Sequence, residues 1–180
     1  MNPTIKSERF LAMVESHKGI IYKVANSYCL DMEERKDLVQ EIIVQLWRSF
    51  DHFDPRFKYS TWVYKIALNV AISFYRKESR ENARWSPLSE SIFQIADPRE
   101  DLRDLEDKNE DLALLQKFVL ELKELDRALM LLYLDEKSYR EIAEIIGISE
   151  TNVATKISRI KLVLKQKFEQ INQKNYSHGR

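Results

Sequence analysis

Basic and aromatic residues alternate through one segment, RFKYSTWVYKIALNVAISFYRK, which starts at residue 56. Cations neutralise phosphate and aromatic faces stack on unpaired bases, and a surface that binds single-stranded nucleic acid needs both. The alternative is a small helical core that uses half of the rings and leaves the cations solvated. The helical period assigns Trp62 and Phe74 to the core. Tyr59, Tyr64 and Tyr75 fall outside that stripe and are the candidates for stacking. The remaining members of the pattern are Arg56, Phe57, Lys58, Lys65, Arg76 and Lys77.

A second segment, SYREIAEIIGISETNVATKISRIKLVLKQK from residue 138, has the spacing of a helix-turn-helix. Ala143 lets two helices cross closely, Gly147 supplies a turn with positive φ, and Val153 packs beneath them. Ser149 is placed to cap the second helix. That helix carries a run of cations without an intervening acid, which predicts that it enters a major groove of DNA. The alternative is an α-helical hairpin with solvated lysines. The cations are Lys156, Arg159, Lys161, Lys165 and Lys167.

Three apolar patterns with a helical period predict three helices around one small core in the first 80 residues. The first pattern contains Gly19, which marks a weak point between its halves. The second predicts a helix over 32–50, with Asp31 as its N-cap. The third is expected to be capped by Ser60 or Thr61.

The polar face of the helix predicted over 32–50 mixes acidic and amide side chains. Such a face suits phosphate poorly, so we expect it to be either plain solvent surface or a docking surface for a protein. Its residues are Asp37, Gln40, Glu41, Gln45 and Arg48.

Composition and charge predict an all-α protein made of two small basic modules. Of the 180 residues only three are Gly and four are Pro, whereas sheet proteins need such residues at their turns. The formal net charge is zero, but residues 1–80 sum to +3 (13 basic, 10 acidic), 81–111 to −6 (4 and 10) and 112–180 to +3 (12 and 9). The middle piece also contains Pro87, Pro98 and several serines, which is typical of a solvated linker.

Several functional classes are excluded by what the chain lacks. Three glycines cannot form the usual phosphate-binding loops, and three scattered His with one Cys offer no ordinary zinc site or intrachain disulfide. We therefore expect no metal and no cofactor. The longest apolar run, ALMLLYL, is too short to span a bilayer, and the polar N-terminus is unlike a signal peptide. A lone cysteine suits a reducing cytosol, so we expect a cytoplasmic protein without membrane insertion.

The two segments in this order resemble the extracytoplasmic-function (ECF) sigma factors of bacterial RNA polymerase, within the sigma-70 family. DLVQEIIVQLWRSFDHFDP and KYSTWVYKIALNVAISFYRK resemble region 2, and LKELDRALMLLYLDEKSYREIAEIIGISETNVATKISRIKLVL resembles region 4. The resemblance implies an initiation factor with no reaction of its own, and an acidic connector that runs through the polymerase cleft. The domains expected are a region 2-like domain over 1–80, an acidic flexible linker over 81–110, a region 4-like domain over 111–173 and a disordered tail over 174–180.

The resemblance also implies roles for particular residues. The face around Asp37, Gln40, Glu41 and Gln45 would dock on the clamp helices of the polymerase, and the apolar side of region 4 would hold the flap tip. The loop 54–61 would form a pocket for a base flipped from the melted non-template strand of the −10 element. The residues expected to bind the −10 element are Arg56, Phe57, Lys58, Tyr59, Ser60, Thr61, Lys65, Asn69, Ser73, Arg76 and Lys77. Those expected to bind the −35 duplex are Ser149, Thr151, Asn152, Thr155, Lys156, Ser158 and Arg159. An anti-sigma factor is a further implied partner.

Two other functions remain as alternatives at this point. A stand-alone helix-turn-helix regulator would bind duplex DNA as a homodimer and without polymerase. An enzyme that acts on nucleic acid would need paired carboxylates or a His or Cys cluster, and the chain offers neither.

Overall fold

The computed structural model describes residues 3–84 and 110–178, and all regular secondary structure within these ranges is helical. The prediction of an all-α fold is confirmed. The helices are α1 (Pro3–Tyr28), α2 (Met32–Ser49), a short 3₁₀ turn (Phe50–His52), α3 (Tyr59–Arg84), α4 (Glu110–Leu120), α5 (Glu124–Leu134), α6 (Tyr139–Ile146) and α7 (Glu150–His178). Helices α1–α3 belong to one compact unit and α4–α7 to another.

Helix α1 runs without a break through Gly19, so the predicted weak point does not divide it. Met13 before the glycine and Ile21 after it are both buried in the first unit. Because burial on both sides holds the two halves against the same core, the low helix propensity of one exposed glycine is overridden.

Helix α2 begins and ends close to the predicted bounds. The Asp31 side chain accepts hydrogen bonds from the backbone N–H groups of Glu33 (2.8 Å) and Glu34 (3.1 Å), which confirms it as the N-cap. The helix buries Leu38, Ile42 and Leu46 completely. These residues recur every four positions, so the opposite face of α2 is left to solvent.

Helix α3 begins at Tyr59, earlier than the predicted caps Ser60 and Thr61. The N–H of Trp62 already bonds to the Lys58 carbonyl at 3.2 Å, so the first helical turn includes both hydroxyl residues. Before the helix, the Asp54 side chain accepts the Arg56 N–H at 3.0 Å and closes a turn.

Burial along α3 corrects two expectations about its rings. Tyr64, a predicted stacking candidate, is fully buried, whereas Trp62 and Phe74, predicted as core, are only half-buried. Val63, Ala67 and Ala71 are buried as their spacing predicts, but Tyr64 and Leu68 join them in place of Trp62 and Phe74, so the buried stripe is rotated by about one residue from the predicted one.

In the second unit, the buried Arg127 stabilises the turn between α4 and α5 by hydrogen bonds to its backbone. Its Nη2 donates to the carbonyl oxygens of Leu120 and of Leu122, the latter at 3.1 Å. This role was not predicted, because a basic residue on a helix is ordinarily exposed. Helix α5 also buries Leu129 and Leu132, and it packs against α6 and α7.

The expected tail over 174–180 does not match the structure, because α7 continues to His178. No Gly or Pro occurs between Gly147 and Gly179, and the intervening sequence is rich in Lys and Gln. Nothing therefore stops the helix before Gly179. Most of the expected linker, residues 85–109, lies outside the described residues.

None of the described helices is long and apolar enough to cross a membrane. Across residues 3–84 and 110–178 there is also no group of His, Cys, Asp and Glu side chains that could hold a metal ion.

Candidate nucleic-acid and polymerase interfaces

Four aromatic rings surround the loop that leads into α3. Phe53 stacks on Tyr59 with 4.1 Å between ring centroids and 12° between planes, and it meets Trp62 edge-on at 5.3 Å. One face of the Tyr59 ring is thus covered within the protein. Phe57, at 47 % exposure, is the open ring of this loop. The loop therefore offers an aromatic surface fixed by its own packing.

The charges of the loop are largely paired with each other. The Arg56 guanidinium donates hydrogen bonds to the Asp54 carboxylate. Its Nε lies 3.0 Å from Oδ1 and 2.9 Å from Oδ2, and its Nη2 lies 2.5 Å from Oδ2. The side-chain hydrogen bonds from Arg56 lower the pKa of Asp54, and the same pairing raises that of Arg56. Arg56 is therefore a weaker candidate for phosphate than its sequence position suggested, because its charge is already neutralised locally.

An open hollow of about 470 Å³ lies beside this loop. It is large enough for a small ligand, since such sites span roughly 300–1,000 Å³. Four rings, three charged groups and one proline line it: Phe50, Phe53, Phe57 and Tyr59, with Arg9, Asp51 and Lys58, and Pro55. We call this space the loop-side hollow.

The polar side chains predicted on α3 share one exposed stripe. Lys65, Asn69 and Ser73 follow each other at four-residue spacing and are all exposed, and Arg76 and Lys77 continue the stripe. Side chains four apart lie on the same helix face. Ser60 and Thr61, at the start of the helix, are half-buried. Tyr75 is half-buried as well and meets Tyr28 edge-on at 6.4 Å, which leaves it poorly placed for stacking on a base.

On α2, three of the four residues predicted to dock on a protein are exposed. Asp37, Gln40 and Glu41 are exposed and Gln45 is half-buried. Val44, at 40 % exposure, lies within this group. The combination of acid, amide and apolar groups suits a protein partner better than a polyanion.

The geometry of the helix-turn-helix in the second unit is set by its caps. Ser138 and Glu141 form a reciprocal capping box at the start of α6. Gly147 ends α6 in the left-handed conformation with φ +81°, and its N–H donates to the Ala143 carbonyl at 2.8 Å. The Ser149 hydroxyl accepts the Asn152 N–H at 3.3 Å, which confirms the predicted cap of α7.

The exposed face of α7 contains most of the predicted −35 residues. Thr151, Asn152, Thr155, Ser158 and Arg159 are exposed, as is Ser149 before the helix, and Lys156 is half-buried. The opposite face is core: Val153 and Ile157 are fully buried and Ile160 is 4 % exposed. The helix therefore presents a polar face while its apolar face anchors it.

Three cations farther along α7 make contacts within the unit, so the whole basic run is not equally available to DNA. Lys161 donates to the Tyr133 hydroxyl at 3.0 Å and lies over its ring, and this hydrogen bond raises the pKa of Lys161. Lys167 pairs with Glu121, and Lys165 lies 3.9 Å from Glu169.

Comparison with known proteins places the two units in one family. Residues 13–81 match the model of Sigma-70 region 2, and residues 112–164 match that of Sigma-70, region 4. The chain is 29 % identical over 174 residues to the ECF RNA polymerase sigma factor SigW of Bacillus subtilis, covering 91 % of each chain. It is 30 % identical over 149 residues to SigM of the same organism, an ECF sigma factor, covering 81 % of this chain and 86 % of SigM.

A solved structure also shares the fold. It is that of CnrH in complex with the cytosolic domain of CnrY, with a TM-score of 0.62 and 19 % identity. The similarity covers 91 % of this chain and 90 % of that one. At this identity the likeness concerns the fold alone.

Proposed function

The chain belongs to the ECF group of the sigma-70 family of RNA polymerase sigma factors, and from this premise we propose which of its surfaces carry out each step of initiation. It acts with core RNA polymerase at promoters and is not an enzyme. The stand-alone regulator finds no support among the relatives. We place the protein in the cytoplasm, where polymerase and chromosome meet.

The exposed face of α2 is the proposed docking surface for core polymerase. Asp37, Gln40 and Glu41 are exposed outside the buried stripe of Leu38, Ile42 and Leu46, and Gln45 is half-buried at the edge of that stripe, so a partner can bind there without disturbing the core. The support for this assignment is the mixed polar and apolar character of that face. For the flap tip, we propose the apolar side of the second unit.

The loop 54–61 and the stripe on α3 are the proposed surface for the melted non-template strand. Phe57 offers an open ring, and Lys58 and Lys65 are exposed cations near it along the chain. Stacking on aromatic side chains contributes roughly 1–3 kcal/mol per base, which offsets the cost of unstacking. Asn69 and Ser73 would then follow the strand along the helix, towards Arg76 and Lys77.

The exposed face of α7 is the proposed reader of the −35 duplex. Thr155, Ser158 and Arg159 lie on one side of the helix and face solvent. The Thr155 hydroxyl donates to the Thr151 carbonyl at 2.9 Å, so it keeps its acceptor capacity for a base edge. Arg159 is the group best suited to a bidentate contact with guanine.

For domain organisation we keep the proposal of a region 2-like domain over 1–80, a linker over 81–110 and a region 4-like domain from 111. A net charge of −6 over 81–111 suits passage through a cleft that is built to hold phosphate.

We also propose an anti-sigma partner. The support is that CnrH, which shares the fold, is in complex with the cytosolic domain of CnrY, and that Leu162 and Val163 are exposed apolar groups on α7.

The observation that carries this function is the match of region 2 and region 4 to two separate compact units, in that order. The test is in vitro transcription from a genomic promoter library with core polymerase alone, chain alone and both, followed by mapping of transcript starts. We expect a defined set of starts only when both are present. Starts that do not depend on the chain would contradict the proposal.

A further inference from the structure

A second hollow adjoins the loop-side hollow, and α1 provides most of its wall. It has a volume of about 370 Å³ and is lined by Arg9, Ala12, Met13, Ser16, His17 and Tyr59. We call it the α1-side hollow. Tyr59 and Arg9 line both spaces, so a strand could pass from one to the other beside the same ring and the same guanidinium.

Helix α1 is held firmly where it forms this wall. Phe10 is 5 % exposed and meets Trp47 and Phe50 edge-on, with centroids 5.0 and 5.3 Å away. One turn earlier, Lys6 donates to Asp51 at 2.5 Å and lies 4.4 Å from the centroid of the Trp47 ring. Arg9 directly precedes Phe10, so its backbone position is fixed by this packing.

The charges around the two hollows favour a polyanion at Arg9. Asp51 is engaged by Lys6 and Asp54 by Arg56, so both carboxylates near the loop-side hollow are already neutralised. Arg9 is exposed, and no ion pair or hydrogen bond of its side chain is found within residues 3–84 and 110–178. A phosphate would supply the acceptor oxygens that this guanidinium lacks.

The α1-side hollow also has polar groups suited to a base. His17 Nδ1 lies 2.8 Å from the Met13 carbonyl oxygen, which can only accept, so Nδ1 carries the proton and Nε2 is the acceptor in the neutral ring. The Ser16 hydroxyl donates to the Ala12 carbonyl at 2.8 Å and keeps its lone pairs for a ligand. The His17 and Tyr59 rings lie 6.1 Å apart. These groups accept hydrogen bonds, as the exocyclic amines of bases require.

We propose that the α1-side hollow is a second nucleotide site, which holds the unstacked nucleotide next to the base captured by the loop 54–61, with Arg9 bound to the phosphate between them. This inference rests on the proposed role of that loop in binding the non-template strand. It adds α1 to the elements that engage melted DNA.

The test uses holoenzyme and a pre-melted fork DNA made from a promoter found by the mapping above. Anisotropy titrations compare wild type with Arg9→Ala, Arg9→Lys and the control Lys18→Ala, which removes an exposed cation of α1 that lines neither hollow. We expect Arg9→Ala to weaken binding to the fork about tenfold, and to lower the slope of log K against log[salt] by about 0.7, the value for one phosphate contact on a single strand. Arg9→Lys should restore the slope, and Lys18→Ala should match wild type.

Abasic substitutions scanned along the single strand locate the two sites. We expect two adjacent abasic positions to weaken binding, and Ala12→Phe, which places a ring in the α1-side hollow, to remove the sensitivity at one of them only. If Tyr59→Ala weakens fork binding but Arg9→Ala behaves like Lys18→Ala and only one abasic position matters, the second site is refuted while the proposed function stands. If neither Tyr59→Ala nor any abasic position has an effect, the loop assignment fails, and the second site fails with it.

Discussion

The two surfaces assigned to DNA are built in different ways. On α7 the reading face is one side of a regular helix, and its position is set by local caps at Ser138, Gly147 and Ser149. The surface before α3 is a loop whose rings pack on each other and whose charges pair internally, as in Arg56 with Asp54. A helix face is fixed by the regular spacing of the helix, whereas this loop surface depends on contacts between individual side chains of an irregular segment.

This difference matches the two kinds of DNA that the surfaces are proposed to bind. Duplex DNA has a regular groove, which a regular helix can read with side chains that extend into solvent. A single strand has no fixed shape, so its binding surface must be rigid for an unstacked base to gain from stacking there. We therefore expect changes in the two surfaces to affect different DNA substrates.

We expect the strongest effect from changes at the polymerase docking surface, because docking precedes the use of either DNA surface. Asp37→Arg combined with Glu41→Arg reverses two exposed charges on α2 and should abolish holoenzyme formation while the chain stays folded. Pull-down with core polymerase and circular dichroism measure the two properties. The control is Glu8→Arg with Glu15→Arg, two exposed acids on α1. Normal polymerase binding by the α2 variant would show that this face is not the docking surface.

The next prediction distinguishes Tyr64, the fully buried ring of α3, from Tyr59, its half-buried ring. Tyr64→Ala should lower the free energy of unfolding by about 3–5 kcal/mol, because a fully buried ring leaves a cavity. Tyr59→Ala should cost less, because its ring is only half-buried, yet should weaken binding of pre-melted DNA. Urea unfolding followed by tryptophan fluorescence reports on the first 85 residues, which contain all three Trp. Equal destabilisation by both variants would contradict the distinction.

A smaller effect is expected on the duplex side. Arg159→Ala should cost about 1–3 kcal/mol in holoenzyme binding to the −35 duplex and relax the preference at one or two positions. Lys165→Ala, a cation two turns farther along α7 that lies 3.9 Å from Glu169, is the matched control. Competition with a library of −35 variants measures both. If transcription from the native promoter is unaltered by Arg159→Ala, α7 binds DNA through a different face.

The smallest effect is a shift in the pKa of the Asp54 carboxyl in the loop 54–61. The hydrogen bonds from Arg56 lower the pKa of Asp54 below its ordinary value of 3.8, so the pair contributes stability above that pH and loses it as the pH falls through the lowered value. Arg56→Ala should raise the pKa of Asp54 towards 3.8. An NMR titration of the Asp54 carboxyl measures this shift, and an unchanged pKa would show that the pair does not form in solution.

The features that follow from local spacing were predictable from the sequence. The α2 cap at Asp31, the turn at Gly147 and the cap at Ser149 all depend on neighbours within four residues. The residues assigned to polymerase and DNA remain proposals, but the structure exposes most of them on common faces.

What the sequence missed depends on contacts between distant elements. The burial of Tyr64 follows from how α3 packs on α1 and α2, and periodicity within α3 alone placed the core stripe one residue away. The role of Arg9 on α1 was missed for the same reason, because it lies some 50 residues from the loop that it joins. Periodicity shows which side of a helix is buried, but not which distant loop meets it.

Each DNA surface should be effective only when polymerase presents both surfaces together. The two outer segments carry a net charge of only +3 each beside a piece of −6, so the free chain should bind promoter duplex weakly. Anisotropy titrations of one labelled promoter with free chain, with core polymerase and with both, at fixed salt, test this directly beside a pre-melted version of the same DNA. We predict an affinity higher by orders of magnitude with both proteins, because the second contact becomes intramolecular, and a further gain from pre-melting. Tight, sequence-specific binding by the free chain as a dimer would contradict the account.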